Sequence, residues 1–231
     1  MFLKLGCDPE LFLRDKYTQD FVSAHGLFPG TKSNPHAIDR GAVQVDGTAL
    51  EFNIHPAETK EQFVRNITAV KAQINEMVRR VSDDLEIVLL PVAKFDEMYF
   101  NLMPLEPKIL GCDPDFDENG VEKTPPEGMQ DRPFRTAAGH IHIGWTEGQD
   151  PRGTDHFENC KRIAKNFKNV TGYAPVTPEE RERCRYYGAP GSFRPKDYGV
   201  ELRSPSNLWI KNVDGIETMY DRTIRKMKEL S

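Results

Sequence analysis

The chain has 231 residues, of which 38% are hydrophobic, 10% aromatic and 29% charged, and its formal net charge is −5. These values are typical of a globular protein that buries its own core, and they exclude a disordered or fibrous chain. The acidic balance argues against a protein that coats nucleic acid, and no segment approaches the ~20 consecutive apolar residues of a membrane helix.

The first residues predict no secretory signal, because residues 1–8 contain neither a basic segment nor a long apolar one. The cysteines are scattered and form no Cys-x-x-Cys pair; they are Cys7, Cys112, Cys160 and Cys184. That spacing favours reduced structural thiols over a zinc or redox site. We therefore expect a cytoplasmic protein whose partners include neither nucleic acid nor a membrane.

Turn signals and hydrophobic periodicity predict one α+β domain over residues 1–231. A strand at 2–14 is followed by a hairpin, whose strands 42–45 and 49–54 are joined by Asp46-Gly47. Residues 59–82 show helical spacing of apolar residues, with Thr59 and Gln62 as a capping box. Residues 85–92 are predicted to form one continuous apolar strand.

The second half of the chain is predicted to alternate loops, helices and strands. Residues 104–135, rich in proline and acids, are expected to form a loop before a strand at 138–145 and a helix at 154–170. A short helix begins near Thr177, with Pro178 at its first position. A Gly/Pro loop at 188–195 leads into a strand at 198–204, and Asp214 is the candidate N-cap of the last helix.

Four of the predicted strands place chemically reactive side chains on one face. Alternate residues of a strand point to the same side, so the sequence can be separated into two faces. One face of each strand is then apolar, and the other carries the following pairs: Asp8 and Glu10, Glu51 and Asn53, His140 and His142, Glu201 and Arg203.

Two interpretations of this face remain open. An antiparallel sheet with one solvated face normally alternates in this way. None of the eight positions is Lys, Ser or Thr, however, and converging carboxylates and imidazoles repel or desolvate one another unless a cation lies among them. Carboxylate ligands with one imidazole suit Mg²⁺ or Mn²⁺.

Basic residues near these strands are candidates for binding phosphate groups. Arg203 is expected either to pair with an acid or to neutralise a transferred phosphoryl group. Arg194 and Lys196 precede the last strand, and Arg135 precedes the HxH strand. These three would contact the phosphates of a nucleotide, although solvated surface cations would show the same pattern.

These motifs resemble, in the same order, those of the phage carboxylate-amine ligases of type two. The matching segments are residues 6–13, 46–53, 139–144 and 198–203, and the resemblance extends over residues 3–209. That family belongs to the amidoligase superfamily, with glutamine synthetase and glutamate-cysteine ligase. The resemblance implies a curved antiparallel sheet of the glutamine synthetase catalytic-domain type, with helices packed on its apolar face.

The resemblance also implies roles for individual residues. In the family's pattern the metal ligands correspond to Asp8, Glu10, Glu51, His140 and Glu201. Arg203 and Glu51 correspond to catalytic positions, and His142 lies near the nucleotide. The chain is much shorter than glutamine synthetase and lacks its separate N-terminal domain, so neither ammonia specificity nor a dodecamer is implied.

The implied activity is an ATP-dependent ligation of a carboxylate to an amine through an acyl phosphate, with Mg²⁺ or Mn²⁺. The substrates are expected to be small molecules or peptides, and a phage-encoded protein would act in the host cytoplasm. Phosphoryl transfer depends mainly on positioning and charge neutralisation, which acids, metals and arginines supply. Asp113 and Asp117 are the candidates for a base that accepts the amine proton.

Two other functions are consistent with parts of the pattern. His140 and His142, followed by Glu147, have the spacing of a metal-dependent hydrolase or oxygenase, for which His156 is the remaining downstream histidine. A phage protein that binds a nucleotide without catalysis would retain the same residues.

Overall fold

The computed structural model describes residues 3–109, 115–124 and 126–230. Its strands are β1 Lys4–Asp15, β2 Phe21–Val22, β3 His36–Ile38, β4 Gly41–Asp46, β5 Ala49–Ile54, β6 Leu85–Val88, β7 Val92–Lys94, β8 Asp115–Phe116, β9 Glu122–Lys123, β10 Phe134–Thr136, β11 Gly139–Gly144, β12 Phe193–Lys196 and β13 Gly199–Leu202. Its α-helices are α1 Lys60–Val81, α2 Glu97–Leu102, α3 Thr154–Phe167, α4 Pro178–Arg183 and α5 Val213–Leu230.

The main sheet is antiparallel and has β1 near its centre. The strand order is β3-β4-β5-β1-β11-β13-β12-β8-β9, and β2 and β6 pair with the C-terminal part of β1. Strands β7 and β10 form a separate two-stranded sheet. The predicted α+β class with an antiparallel sheet is therefore confirmed.

The predicted Asp46-Gly47 hairpin is confirmed in position and register. Strands β4 and β5 pair from Gly41 with Ile54 to Asp46 with Ala49, which leaves a two-residue turn. Gly47 has a φ of 58°, the left-handed conformation that such turns require and that glycine adopts without strain. The turn fixes which residues of β4 and β5 lie opposite each other.

The hydrophobic core lies between one face of the sheet and the helices. Buried residues of α1, α3 and α5 form one cluster with the apolar side chains of the central strands, including Cys7, Leu11, Ile141, Val200 and Leu202. The predicted stripe of α1 supplies Phe63, Ile67, Val70, Ile74 and Val78 to this cluster. The helices thus cover the back of the four motif strands and leave the other face to polar residues.

A second, smaller apolar cluster surrounds Phe12. This residue follows Glu10 at the alternate position of β1 and therefore points to the same side of the strand. Phe12 packs against Phe95, with ring centroids 6.5 Å apart, and Phe100 belongs to the same cluster. The polar face is therefore bounded by an apolar cluster toward the C-terminal end of β1.

Three predicted segments differ from the structure. The expected loop 104–135 contains, among its described residues, the short strands β8 and β9 and the start of β10. The expected strand 85–92 is divided into β6, which pairs with β1, and β7, which pairs with β10. Pro91, which has no amide hydrogen to donate, lies between them. The expected loop 188–195 contains most of β12, in which Pro195 is tolerated because β8 pairs with β12 only through Phe193.

The helix ends agree with the predictions only in part. Thr59 accepts a hydrogen bond from the Gln62 amide, but the Gln62 side chain accepts from the Glu58 amide, one residue before the N-cap. Helix α3 ends at Phe167, before the predicted residue 170. Helix α5 begins at Val213, where the Asn212 side chain accepts from the Gly215 amide, so the candidate cap Asp214 lies inside the helix.

Helix α4 has the predicted Pro178 at its first position, and Thr177 and Glu180 form a complete capping box. Across the described residues, no helix is both long and apolar enough to span a bilayer.

We expect Ile74→Ala to lower the free energy of unfolding by about 2–5 kcal/mol, because it opens a cavity in the α1–sheet core. Ile74 is fully buried. Exposed Arg79, on the same helix, provides the control, and Arg79→Ala should change stability by less than about 0.5 kcal/mol. Urea unfolding of both variants measures the difference, and equal losses would contradict this assignment of the core.

Candidate functional site

The register of four adjacent strands brings the motif residues together. Across β1 and β11, Asp8 lies opposite His140. Across β1 and β5, Glu10 lies opposite Glu51, and across β11 and β13, His142 lies opposite Glu201. The alternation recognised in the sequence therefore becomes one continuous polar surface, on the side of the sheet that faces away from α1, α3 and α5.

The first group on this surface consists of Asp8, His140, His142 and Glu201. Ligand atoms of Asp8, His142 and Glu201 lie within 4.8 Å of one another. His140 Nδ1 is 3.2 Å from Asp8 Oδ1 and 3.5 Å from Glu201 Oε1. The three residues predicted as ligands in this group, Asp8, His140 and Glu201, are thus neighbours.

The two histidines of this group differ in their hydrogen bonds. His142 Nε2 lies 2.8 Å from Asp8 Oδ1, and its Nδ1 is bonded to the Tyr198 hydroxyl. His140 is only 3% exposed; its Nε2 contacts the Tyr187 hydroxyl at 3.1 Å, but its Nδ1 has no hydrogen-bond partner. His140 therefore has a ring nitrogen available for a ligand, whereas both nitrogens of His142 are engaged.

The pKa directions agree with this difference. Burial and the Arg203 charge lower the pKa of His140 to about 4, against the opposing effect of Asp8, so its imidazole is neutral at pH 7. Burial lowers the pKa of His142 as well, but the Asp8 carboxylate more than offsets this and raises it. The pKa of Asp8, which burial would raise, is held well below its usual range by His142 and His140.

Glu201 is completely buried and is surrounded by cations. Lys196 Nζ is 2.9 Å and Arg194 Nη1 is 3.5 Å from its Oε2, and Arg203 forms an ion pair with Oε1. Burial and Asp8 would raise the pKa of Glu201, but Lys196 and the two histidines lower it on balance. The predicted cations Arg194, Lys196 and Arg203 therefore meet at one ionised carboxylate.

The second group consists of Glu10, Asp46 and Glu51, whose carboxylate oxygens lie within 4.8 Å of one another. Lys32 Nζ is 2.9 Å from Asp46 Oδ2, and the Gln44 amide donates to Glu51 Oε2 at 2.9 Å. Glu10 accepts a hydrogen bond from the Ala138 amide at 2.8 Å. Asp46 was not among the predicted ligands, because Asp-Gly in the sequence indicated only a turn.

This second group carries more negative charge than its neighbours compensate. Burial and the Asp46 charge raise the pKa of Glu10 to about 7, although the Ala138 amide opposes the shift. Burial, Asp8 and Asp46 together raise the pKa of Glu51 well above its usual value. Like charges placed directly opposite each other in a sheet are destabilising, and a bound cation removes that cost.

Both groups fit a hard divalent cation. Three carboxylates in the second group match the oxygen ligands of Mg²⁺ and Mn²⁺, and two carboxylates with a neutral imidazole match Mn²⁺ or Mg²⁺ in the first. The buried Nδ1 of His140, which lacks a hydrogen bond but lies close to two carboxylates, is the observation that supports a metal in the first group.

Two cavities meet at these carboxylates. A cavity of about 280 Å³ is lined by Arg194, Lys196 and Arg203, and one of about 500 Å³ is lined by His142, Asn53 and Tyr198. Both are also lined by Asp8, Lys32, Gln44 and Glu51. Both cavities therefore border the same acidic residues.

Phosphate binding by Arg135 stays a prediction, and the structure shows that its guanidinium also binds backbone carbonyls. Its guanidinium donates to the backbone carbonyls of Lys108, Met129, Arg132 and Phe134 and lies over the Phe100 ring. Arg135 borders the smaller cavity, and through these bonds its guanidinium holds the surrounding backbone segments together.

Of the two candidate bases, the structure describes only Asp117. The Asp117 carboxylate accepts from the Asn119 and Val121 amides and lies 3.4 Å from Lys123 Nζ, so it stabilises its own turn. Asp113 lies outside the described residues.

His156 does not extend the His140 and His142 pair. Its Nε2 donates to the Lys196 carbonyl at 2.8 Å, and it lies beside Cys160 on α3, the helix that packs on the apolar face. The third histidine that the hydrolase or oxygenase interpretation requires is therefore engaged on the other side of the sheet.

The chain matches no protein-family model, and no curated protein matches it significantly.

Glu51→Gln tests whether the second group needs a cation. In EDTA the variant should unfold at a temperature about 2–4 °C higher than the wild type, because it loses one of the repelling carboxylates, an effect of about 1 kcal/mol. Added Mn²⁺ should stabilise the wild type more than the variant, since a ligand stabilises the state that binds it. Thermal unfolding with and without Mn²⁺ measures both effects.

Glu147→Gln is the matched control, because Glu147 is an exposed residue that lines the larger cavity outside both groups. It should respond to Mn²⁺ as the wild type does. Equal stabilisation of all three proteins by Mn²⁺ would contradict a metal at Glu51.

Proposed function

We propose that this chain is an ATP- and Mg²⁺-dependent carboxylate-amine ligase with a catalytic domain of the glutamine synthetase type. The observation that carries the proposal is the meeting of two acidic groups, three cations and two cavities on one sheet face. Phosphoryl transfer from a nucleotide to a carboxylate brings together two anionic substrates, and it requires charge neutralisation at the point where they meet.

Six residues would hold divalent cations: Asp8, His140 and Glu201 in the first group, and Glu10, Asp46 and Glu51 in the second. Divalent cations bound there would supply positive charge against phosphate oxygens. Glu51 borders both cavities, so its carboxylate would lie between the two proposed substrates.

The cations of the smaller cavity supply the remaining positive charge. Arg203 is held by Glu201 and by Asp115, whose Oδ1 is 3.1 Å from Arg203 Nε. A guanidinium fixed in this way binds carboxylate or phosphate oxygens with little further ordering. Arg194 and Lys196 border the same cavity and add charge beside it.

The proposed reaction has two steps. An oxygen of the substrate carboxylate attacks the γ-phosphorus of ATP, which gives an acyl phosphate and ADP. The amine nitrogen then attacks the acyl carbon, inorganic phosphate leaves, and the nitrogen loses one proton as the amide forms. Arg203 would neutralise the phosphoryl group in both steps.

Calorimetric titration with ATP tests the proposal at the binding stage. Wild-type protein should bind ATP in the presence of Mg²⁺ and lose at least about tenfold in affinity without it, which is about 1.4 kcal/mol. The Glu10→Gln/Glu201→Gln double variant should lose the Mg²⁺-dependent part, whereas Glu147→Gln should retain it. Absence of binding to the wild type at millimolar ATP and Mg²⁺ would contradict the proposal.

Hydroxylamine trapping then tests the chemistry. With ATP, Mg²⁺ and a panel of carboxylates, an acyl phosphate would be captured as a hydroxamate while phosphate is released, and Arg203→Lys should slow both. Tight Mg²⁺-dependent ATP binding without hydroxamate formation from any carboxylate would favour the non-catalytic nucleotide-binding alternative.

A further inference from the structure

Tyr187 lies between two arginines and beside His140. It follows α4, and its amide donates to the Arg183 carbonyl at 2.9 Å. The guanidinium carbon of Arg183 is 5.4 Å from the centre of the Tyr187 ring, and that of Arg203 is 5.0 Å from it. Both distances are within the range of favourable cation–π contacts, so the ring is held by two charged groups.

Arg183 is itself rigidly held. It is only 1% exposed, and it donates to the backbone carbonyls of Ser204 at 2.8 Å and Arg203 at 3.0 Å. Gly188 has a φ of 63°, and a Cβ at this position would lie 2.4 Å from Arg183 Nη2. The turn after α4 therefore closes tightly around Arg183 and joins Tyr187 to the chain at the end of β13.

The Tyr187 hydroxyl contacts the nitrogen of His140 that faces away from the acidic residues. Its oxygen is 3.1 Å from Nε2, while Nδ1 lies near Asp8 and Glu201 without a hydrogen bond. The hydroxyl can accept from Nε2 or donate to it, so the contact fits either tautomer; in the one protonated at Nε2, the Nδ1 lone pair is directed toward the two carboxylates. A partner on the second nitrogen commonly orients a histidine that binds a metal.

We propose that Tyr187 is a positioning residue that orients His140 and favours the tautomer with Nδ1 free to bind a divalent cation. The inference rests on the proposed function for the presence of that cation. Tyr187 contacts His140 through its hydroxyl and Arg203 through its ring. One side chain thus connects a proposed metal ligand with the arginine proposed to neutralise the transferred phosphoryl group. It was not a sequence candidate, because Arg183 to Gly188 carry no motif and the contact depends on folding.

Tyr187→Phe removes the hydroxyl and retains the ring between the two arginines. We expect its Mn²⁺ affinity, measured by electron paramagnetic resonance in the absence of nucleotide, to fall about 10–100-fold. Tyr173→Phe is the matched control, because it also deletes a buried hydroxyl, one that lies 2.6 Å from Thr223 Oγ1. That variant should lose stability without losing Mn²⁺ affinity.

Nitrogen-15 chemical shifts of the His140 ring provide a readout that does not need metal or activity. The His140 signals are assigned by their loss in His140→Gln. In the metal-free wild type they should report mainly the tautomer protonated at Nε2, and in Tyr187→Phe they should move toward the average of the two; a predominant Nδ1-protonated tautomer in the wild type would contradict the inference. Tyr173→Phe should leave them unchanged.

A double variant separates positioning from general destabilisation. In the His140→Gln background, Tyr187→Phe should cause no further loss of Mn²⁺ affinity, because its effect passes through His140. An equal further loss in that background would overturn the inference.

The outcomes distinguish this inference from the proposed function. If the wild type binds Mn²⁺ and Tyr187→Phe binds it equally, with unchanged His140 shifts, Tyr187 has no positioning role and the ligase proposal stands. If the wild type does not bind Mn²⁺, the metal-dependent ligase proposal fails. Unchanged His140 shifts in Tyr187→Phe would then overturn the inference as well.

Discussion

The direct opposition of Glu10 and Glu51 across β1 and β5 is the constraint on which the polar face depends. The hairpin turn fixes β4 against β5, and this register adds Asp46 to the same group. Neither carboxylate can move away without breaking strand pairs whose other face is packed in the core. Burial of apolar side chains behind the sheet therefore stabilises an arrangement that electrostatics alone would oppose.

The two acidic groups balance their charge in different ways. In the first group, His142 compensates Asp8, and Lys196 and Arg203 compensate Glu201. In the second, Lys32 lies against Asp46, while the pKa values of Glu10 and Glu51 are raised by burial and by neighbouring acids. A cation would thus contribute most to stability at the second group, whereas the first is already close to electrical balance.

The sequence predicted which side chains share a face but could not establish all of their contacts. Strand alternation is local, so Asp8, Glu10, His140 and Glu201 could be assigned to one side before the strand order was known. The roles of Asp46 and Tyr187 depend on residues far away in the chain, which no local pattern encodes. Arg135 shows the same dependence: its position near a motif suggested a phosphate ligand, and folding adds backbone carbonyls that accept from its Nη1 and Nη2, contacts that the sequence does not indicate.

The dependence on contacts between distant residues also explains where the predicted secondary structure differs from the observed one. Residues 85–92 form an apolar run that a local reading continues through Leu90, but Pro91 and two different strand partners divide it. The hairpin at Asp46-Gly47 was predictable because the turn residues and the apolar alternation of the flanking strands indicate the same structure within a few residues.

The position of β1 within the sheet has a consequence for how the molecule moves. β1 is paired with β11 over Lys4–Pro9, with β5 at Glu10 and Leu11, and with β6 over Phe12–Asp15, so Asp8 and Glu10 belong to the part of the fold that opens only when the sheet itself opens. Their amide hydrogens should accordingly exchange with solvent among the slowest in the chain. Local motion around this face then belongs to peripheral segments, such as the exposed turn that carries Lys32, while the acidic residues keep their spacing.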